Sequence, residues 1–373
     1  MHRKQVQEII KSGRTLLCVG TVSVNCVDVT IELAQRHDLP LTLIASRRQI
    51  DAEILGGGYV GSWTTSDYID YVRRKDPEGH VILGRDHAGP WQNENFQLSL
   101  DEAMANAKKS LGVDIESGIE FIHLDASLDP QGTPGVDVIL RRIFELYDFC
   151  CEQAKHWGRD IEFEFGPFSD SPVDELSVIE HVLQSVTEHC RSNKSKLPLY
   201  IVINTGTKVM EKRNVGPFEP NDQLKALVGA CERYQVFLKE HNADYLSDQA
   251  LLAHPALGIH CANIAPELGV IESVGLLDML QKNGRQDLCD EFITLAVDSL
   301  KWQKWMLPGT KASREDLGKI AGHYVYSHPQ GLMIREKARQ VLREQGIDLE
   351  DHLKARIRSR IEHHLKCFGL MNA

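Results

Sequence analysis

HVILGRDH (80–87) decides how this chain is read: an apolar run that turns abruptly into Arg85, Asp86 and His87. The run is too short for a helix and suits a buried strand, so the ionisable residues fall at the strand's end. Seven similar runs lie on either side of it: LLCVG (16–20), LTLIA (41–45), FIHLD (121–125), IEFEF (161–165), LYIVI (199–203), VFLK (236–239) and LGIHC (257–261). Between them lie stretches of helical periodicity, such as VDVILRRIFELYDFCCEQAKHW (136–157) and SVIEHVLQSVTEHC (177–190). Eight strands alternating with helices, at spacings of roughly 20 to 40 residues, are what a closed parallel (β/α)8 TIM barrel requires. The alternative, a doubly wound open sheet, wants a glycine-rich turn after its first strand, and GTVSVNC (20–26) is not one.

Past residue 285 the strand-like runs stop. EFITLAVDSLKWQKWM and EKARQVLREQGIDLEDHLKARIRSRIEHHLKCFGL carry i, i+3, i+4 apolar spacing. The expected organisation is an α/β barrel over 1–285 and a helical C-terminal extension over 286–373, packed on the barrel as a cap, arm or oligomer contact. A length of 373 residues suits one barrel with such an appendage. The net charge of −11 argues against a general nucleic-acid binder, which needs a basic face. The N-terminus, MHRKQVQEIIKSGR, is charged and amphipathic, and nine cysteines are scattered without a CxxC pair. These features imply a cytoplasmic protein with reduced thiols and no membrane association.

In a barrel, catalytic groups gather at the C-terminal ends of the strands. Strand two here ends in Ser46-Arg47-Arg48-Gln49, strand three in Arg85-Asp86-His87 and strand four in Asp125-Ala126-Ser127. Strand five carries Glu162 and Glu164, whose alternation with Ile161, Phe163 and Phe165 puts both on one face, expected to point inward with Glu164 nearer the mouth. Strand six leads into Asn204-Thr205-Gly206-Thr207-Lys208, strand seven ends in Glu240-His241-Asn242, and strand eight in His260-Cys261-Ala262-Asn263. Histidines and carboxylates converging from several strands can hold a borderline divalent metal, zinc or manganese. An open coordination position would then polarise a sugar carbonyl and stabilise an enediolate, with Asp86 as proton donor and acceptor. Any single histidine among these is more often hydrogen-bonded structure; several together at strand ends point the other way. Arg47, Arg48 and Arg85 are each ordinary ion-pairing residues taken singly, but together they suggest an anionic substrate. Lys208, followed by a charged loop, reads as a solvated lysine rather than a Schiff-base former.

At these residues the chain resembles a known family. VILGRDHAGPW (81–91) is similar to the GGDHLGP motif of the tagatose-bisphosphate aldolase non-catalytic-subunit and tagatose-type 4-epimerase family. FIHLDAS (121–127), FLKEHNADYL (237–246), AGHYVYSHP (321–329), GGGYVG (56–61) and Gln49 resemble further segments of that family, in the same order. Class II zinc-dependent ketose aldolases are its wider relatives. The resemblance implies Asp86 as acid/base and His87 and His241 as metal ligands. It likens Glu164 to a residue of their E-x-E strand, catalytic or ligating, and Asn263 to their N-V-A segment. Gln49, Arg47, Arg48, Arg85, Asp125, Ser127 and Asn263 are the expected substrate contacts. Three features depart from the relatives. Asn242-Ala243-Asp244-Tyr245 stands where they have a glycine-rich phosphate loop, NTGTKV lacks their strand-six histidine, and Gly166-Pro167-Phe168 replaces G-T-E.

The implied function is a metal-dependent aldolase or C4 epimerase acting on a ketose or ketose phosphate by retro-aldol/aldol chemistry. The alternative is a non-catalytic accessory subunit that stabilises a class II tagatose-bisphosphate aldolase. The expected partners are accordingly a small sugar, and a further copy of the chain or an aldolase subunit. A sugar-phosphate kinase is disfavoured, since no GxxxxGK[ST] loop is present.

Overall fold

The structure, a computed structural model, describes residues 2–372. Its centre is a closed barrel of eight parallel strands: β1 (Leu16–Gly20), β2 (Thr42–Ser46), β3 (Ile82–Ala88), β4 (Phe121–Leu124), β5 (Glu162–Phe165), β6 (Tyr200–Val202), β9 (Phe237–Glu240) and β10 (Cys261–Ile264). β7 (Val209–Met210) and β8 (Arg213–Asn214) form a small antiparallel hairpin after β6, where the sequence suggested only a charged loop. β1 pairs with both β2 and β10 in parallel register, which closes the ring and leaves no sheet edge. All eight strand-like runs therefore become barrel strands.

The last strand needs a correction. It begins at Cys261, not Leu257, because Gly258 caps the helix Asp248–Leu257 in a left-handed conformation (φ 77°) that a strand cannot use. His260 consequently sits before β10, where its Nδ1 receives the backbone N–H of Leu238 at 2.9 Å, and it does not reach the mouth. The long helix Val136–Trp157 matches its predicted span, and Ser99 with Glu102 forms the capping box that starts the helix Leu100–Ser117.

The C-terminal region is helical but more broken than the periodicity suggested. The helix Gln286–Asp298 ends before Leu300, which is left-handed (φ 58°), and the chain turns through Gln303–Trp305. Gly346 (φ 75°) separates Pro329–Arg343 from Leu349–Cys367. Phe292, Val325, Ile334, Leu342 and Leu353 build a second apolar cluster with Leu277. The final helix lies against Val24–His37 and Pro266–Lys282, and its Ile357, Ile361, Leu365 and Phe368 enter the barrel's own core. Lys354–Asp28 (2.6 Å) and Arg358–Glu32 (2.7 Å) pair across this contact. No helix among the described residues is long and apolar enough to cross a membrane.

Candidate metal centre

Four side chains from three strands meet at the barrel mouth: Asp86 and His87 from β3, His123 from β4, and His241 just after β9. One potential ligand atom from each lies within 4.8 Å of every other. Adjacent residues of a regular strand face opposite ways. β3 evades this because its pairing with β4 shifts register between Arg85 and Ala88, and His87 takes a left-handed conformation (φ 47°). That local irregularity lets Asp86 and His87 edge the same cavity. A non-glycine residue held there is uncommon, and such positions concentrate where function demands them.

Each imidazole is oriented by a specific partner. His87 Nδ1 is 2.6 Å from Asp125 Oδ2, and Asp125 also accepts from Gln92 and from Ser127 Oγ. His123 Nε2 donates to the Gly166 carbonyl at 2.6 Å, which turns its Nδ1 toward Asp86 at 3.2 Å. His241 Nε2 donates to Glu164 Oε1 at 2.8 Å. Glu164 stands behind the cluster, its other oxygen taken by Lys239 Nζ at 2.5 Å. Lys239 is wholly buried in the barrel, 5.0 Å from the Phe121 ring centroid and 5.7 Å from that of Tyr200.

The electrostatics follow from this crowding. Burial pushes the Asp86 carboxyl up, but His87, His123 and His241 around it hold it well below the usual range. Burial likewise raises Glu164, and Lys239 with His123 brings it down to about 2. Burial lowers His123, yet Glu164 and Asp86 lift it to about 9. For His241 burial prevails and lowers the imidazole despite Glu164. With neutral imidazoles, Asp86, Asp125 and Glu164 face one ammonium, Lys239, which leaves two negative charges for a divalent cation to balance. Without the metal, the raised His123 supplies part of that balance as a proton. Three imidazoles with a carboxylate suit zinc or manganese, so the residues fit such an ion.

The other expected site residues divide sharply. A cavity of about 270 Å³ is lined by Arg48, Gln49, Asp86, His87, His241 and Asn263. Gln49 Oε1 accepts the Ser46 N–H at 2.7 Å, and Asn263 Oδ1 is buried with no partner among the described residues. Arg47 and Arg85, expected as substrate contacts, do not line this cavity. Both are buried: Arg85 points to the helix side of β3 and grips Asp114 with two bonds of 2.7 Å, and Arg47, just past β2, pairs with Asp51 at 3.1 Å beside a neighbouring pocket that it lines with Arg48 and Glu94. Strand alternation is the reason for Arg85, since Asp86 takes the inward place. Asp125 and Ser127, expected as substrate contacts, do not line the cavity: Asp125 holds His87, and Ser127 holds Asp125. Glu164 accepts from Lys239 and His241, and it is His123, not Glu164, that stands in the group of side chains able to hold a metal. Glu162 lies at the barrel's opposite end, paired with Lys196 at 2.9 Å, and Lys208 is exposed.

Sequence reasoning missed His123 and Lys239, and also the C-terminal residues Lys304, Trp305, His323 and Tyr324, which line the same cavity. His123 was within reach, because Asp125 lies two residues further along its strand. His323 is buried, its ring 4.0 Å from that of Tyr324, and its Nδ1 has no partner among the described residues.

Comparison with known proteins agrees with the resemblance read from the motifs. Residues 4–158 match the family model described as D-tagatose-1,6-bisphosphate aldolase subunit GatZ/KbaZ-like. The D-tagatose-1,6-bisphosphate aldolase subunit GatZ of Escherichia coli O157:H7 (strain EC4115 / EHEC) is 26% identical over 216 residues, covering 51% of this chain and 50% of that protein. The subunit of the same name from Shigella boydii serotype 18 is 24% identical over 220 residues, with the same coverage of 51% and 50%. The chain thus spans about half the length of the curated relatives it matches. Among solved structures, a probable tagatose 6 phosphate kinase from Sinorhizobium meliloti 1021 superposes with a TM-score of 0.78 at 15% identity, covering 95% of this chain and 100% of that one. The fructuronate-tagaturonate epimerase UxaE from Cohnella laeviribosi gives a TM-score of 0.57 at 12% identity, covering 95% and 81%. At such identities these two structures share the fold.

Proposed function

We propose that this chain is a metal-dependent enzyme acting on a ketose or ketose phosphate by retro-aldol/aldol chemistry, as an aldolase or a C4 epimerase. The observation that carries the reading is the convergence of Asp86, His87, His123 and His241 within 4.8 Å, in a cavity with unpartnered polar atoms on Asn263 and His323. His87, His123 and His241 would hold a zinc or manganese ion, which when bound polarises the ketose carbonyl and stabilises the charge developed on bond cleavage. Asp125 and Glu164 fix His87 and His241 in place. Asp86, set among the three imidazoles, takes the proton of the hydroxyl that becomes the aldehyde as the adjacent carbon–carbon bond breaks. Returning that proton to the new alkoxide after the aldehyde has re-bonded through its other face gives the epimer; giving it to the enediolate carbon and releasing both fragments gives the aldolase products.

Elemental analysis of the purified chain tests this first. About one zinc or manganese ion per chain, lost in the His87→Ala, His241→Ala double variant, is expected. An Asp86→Asn variant should keep the metal and lose cleavage or epimerisation of ketose phosphates by roughly 10²–10⁴-fold. No metal after supplementation sinks the reading. In that case the accessory role becomes the account to pursue, a role suggested by the word subunit in the relatives' names and tested by co-purification with a second barrel protein.

A further inference from the structure

Inside the barrel, away from the mouth, two thiols face each other across the strand pair that closes the ring. Cys18 on β1 and Cys261 on β10 are both buried, and their Sγ atoms lie 3.4 Å apart, one thiol donating to the other. Two features set this pair apart from the other cysteines. The first is electrostatic. The hydrogen bond from Cys261 brings the Cys18 thiol below its usual range, against burial, and the Lys239 ammonium adds to the effect. Cys231 shows the contrast: with no such neighbour, burial pushes its thiol up to about 12. The second is access. A cavity of about 270 Å³ at the end of the barrel opposite the mouth opens beside exposed Asp160 and reaches Cys261. Leu16, Phe121, Leu199 and Tyr200 line it with Cys261, an apolar wall that admits an uncharged molecule of a few atoms and disfavours a charged one.

We propose that Cys18 and Cys261 form a peroxide-reactive dithiol, a modification site that closes to a reversible disulfide across the β1–β10 seam. One sulfur of the pair, as its thiolate, attacks an oxygen of hydrogen peroxide; the O–O bond breaks, and the departing hydroxide takes a proton to leave as water. The sulfenic acid so formed is then attacked by the second sulfur: the S–S bond forms, the S–O bond breaks, and a second water leaves. Two electrons and two protons thus pass from the two thiols to one peroxide, giving one disulfide and two waters. The sulfurs must close from 3.4 Å to the roughly 2.05 Å of a disulfide. Cys261 stands opposite Leu16 and Cys18 opposite Asn263, so the bridge runs diagonally across the two strands. A diagonal bridge is under tension, which makes it easy to reduce again. Thiol pairs of this kind, in chains that otherwise keep their cysteines reduced, serve as redox sensors.

The test uses the full chain, reduced with dithiothreitol, freed of the reductant and exposed to hydrogen peroxide in the presence of a chelator. The protein is then unfolded in an alkylating agent and mapped by mass spectrometry without reduction. A peptide joining Cys18 to Cys261, with Cys18 distinguished from Cys26 by fragmentation, should form at least about tenfold faster than Cys231 is oxidised. Dithiothreitol should return both thiols. The preference should vanish when peroxide is added to the chain already unfolded in urea, where nothing holds the two sulfurs together. Cys18 and Cys261 both still alkylated when Cys231 is oxidised overturns the proposal, and so does a link from Cys18 to any other cysteine of the folded chain. The chelator removes any metal from the mouth, so failure of the metal reading leaves this result standing.

Discussion

Asp125 shows how a single carboxylate can matter through the imidazole it holds. Its Oδ2 holds His87 Nδ1 at 2.6 Å, and Gln92 and Ser127 fix the carboxylate in turn. A ligand imidazole whose second nitrogen is so anchored presents its other nitrogen in one direction. Asp125→Asn should therefore lower zinc affinity about 10–100-fold, read by competition with a chromophoric chelator, while circular dichroism stays unchanged. Unaltered affinity would mean that His87 is not a ligand. Gly89 has a comparable role in the backbone: a Cβ there would lie 1.7 Å from the Asp125 carbonyl oxygen, so only glycine lets β3 and β4 close on each other at the mouth. At this scale the sequence marked Asp86, His87 and His241 through their places at strand ends. It could not say that Arg85 turns outward, because alternation fixes which residues share a face and not which face looks in.

At the scale of elements, Arg85 ties β3 to the helix Leu100–Ser117 through Asp114, and it also donates to the Ala45 and Ile50 carbonyls at 2.9 and 2.6 Å. These bonds pin the turn after β2 against the strand that carries Asp86 and His87. Breaking one side of a fully buried pair leaves an uncompensated charge. Asp114→Asn should cost about 3–5 kcal/mol in urea unfolding, far more than removal of an exposed pair such as Lys108–Glu145. A loss below about 1 kcal/mol would show that water reaches Arg85. Most elements were legible because apolar runs and caps are local signals. The exceptions were the short β7–β8 hairpin, β10, displaced by the Gly258 cap, and the segment after Asp298, where left-handed Leu300 ends a periodicity that reads as continuous helix. The pattern of apolar residues does not record where a backbone reverses.

For the whole molecule, two neutral histidines in the C-terminal region give stability a pH dependence. Burial, reinforced by Lys304, holds His323 down at about 3, and burial with Arg360 does the same for His364, whose Nε2 lies 3.4 Å from the Ala243 carbonyl. Their folded values lie below the unfolded value of about 6.5, so the unfolded chain binds protons first as the pH drops. Their contribution is present above about pH 6.5 and is lost as the pH falls toward 3. Asp244, raised to about 7 by burial and Glu267, opposes them in the same range, so the test is the difference between chains: from about pH 6.5 to 4.5 the melting temperature of His364→Phe should fall less than that of the parent. An equal slope in the variant would place the acid sensitivity elsewhere. By itself the sequence determined the eight-stranded barrel and the helical C-terminal region, and it marked Asp86, His87 and His241 as strand-end residues, because strand period, helix period and strand-end position are properties of neighbours along the chain. Only the tertiary structure decided that His123 stands beside Asp86, His87 and His241, that Arg47 and Arg85 do not line the mouth cavity, and that Lys304 and His323 do. Those placements depend on barrel closure and on burial of distant apolar faces, and burial is non-directional: it rewards any arrangement that hides the same surface, so no local pattern encodes which distant residues will meet.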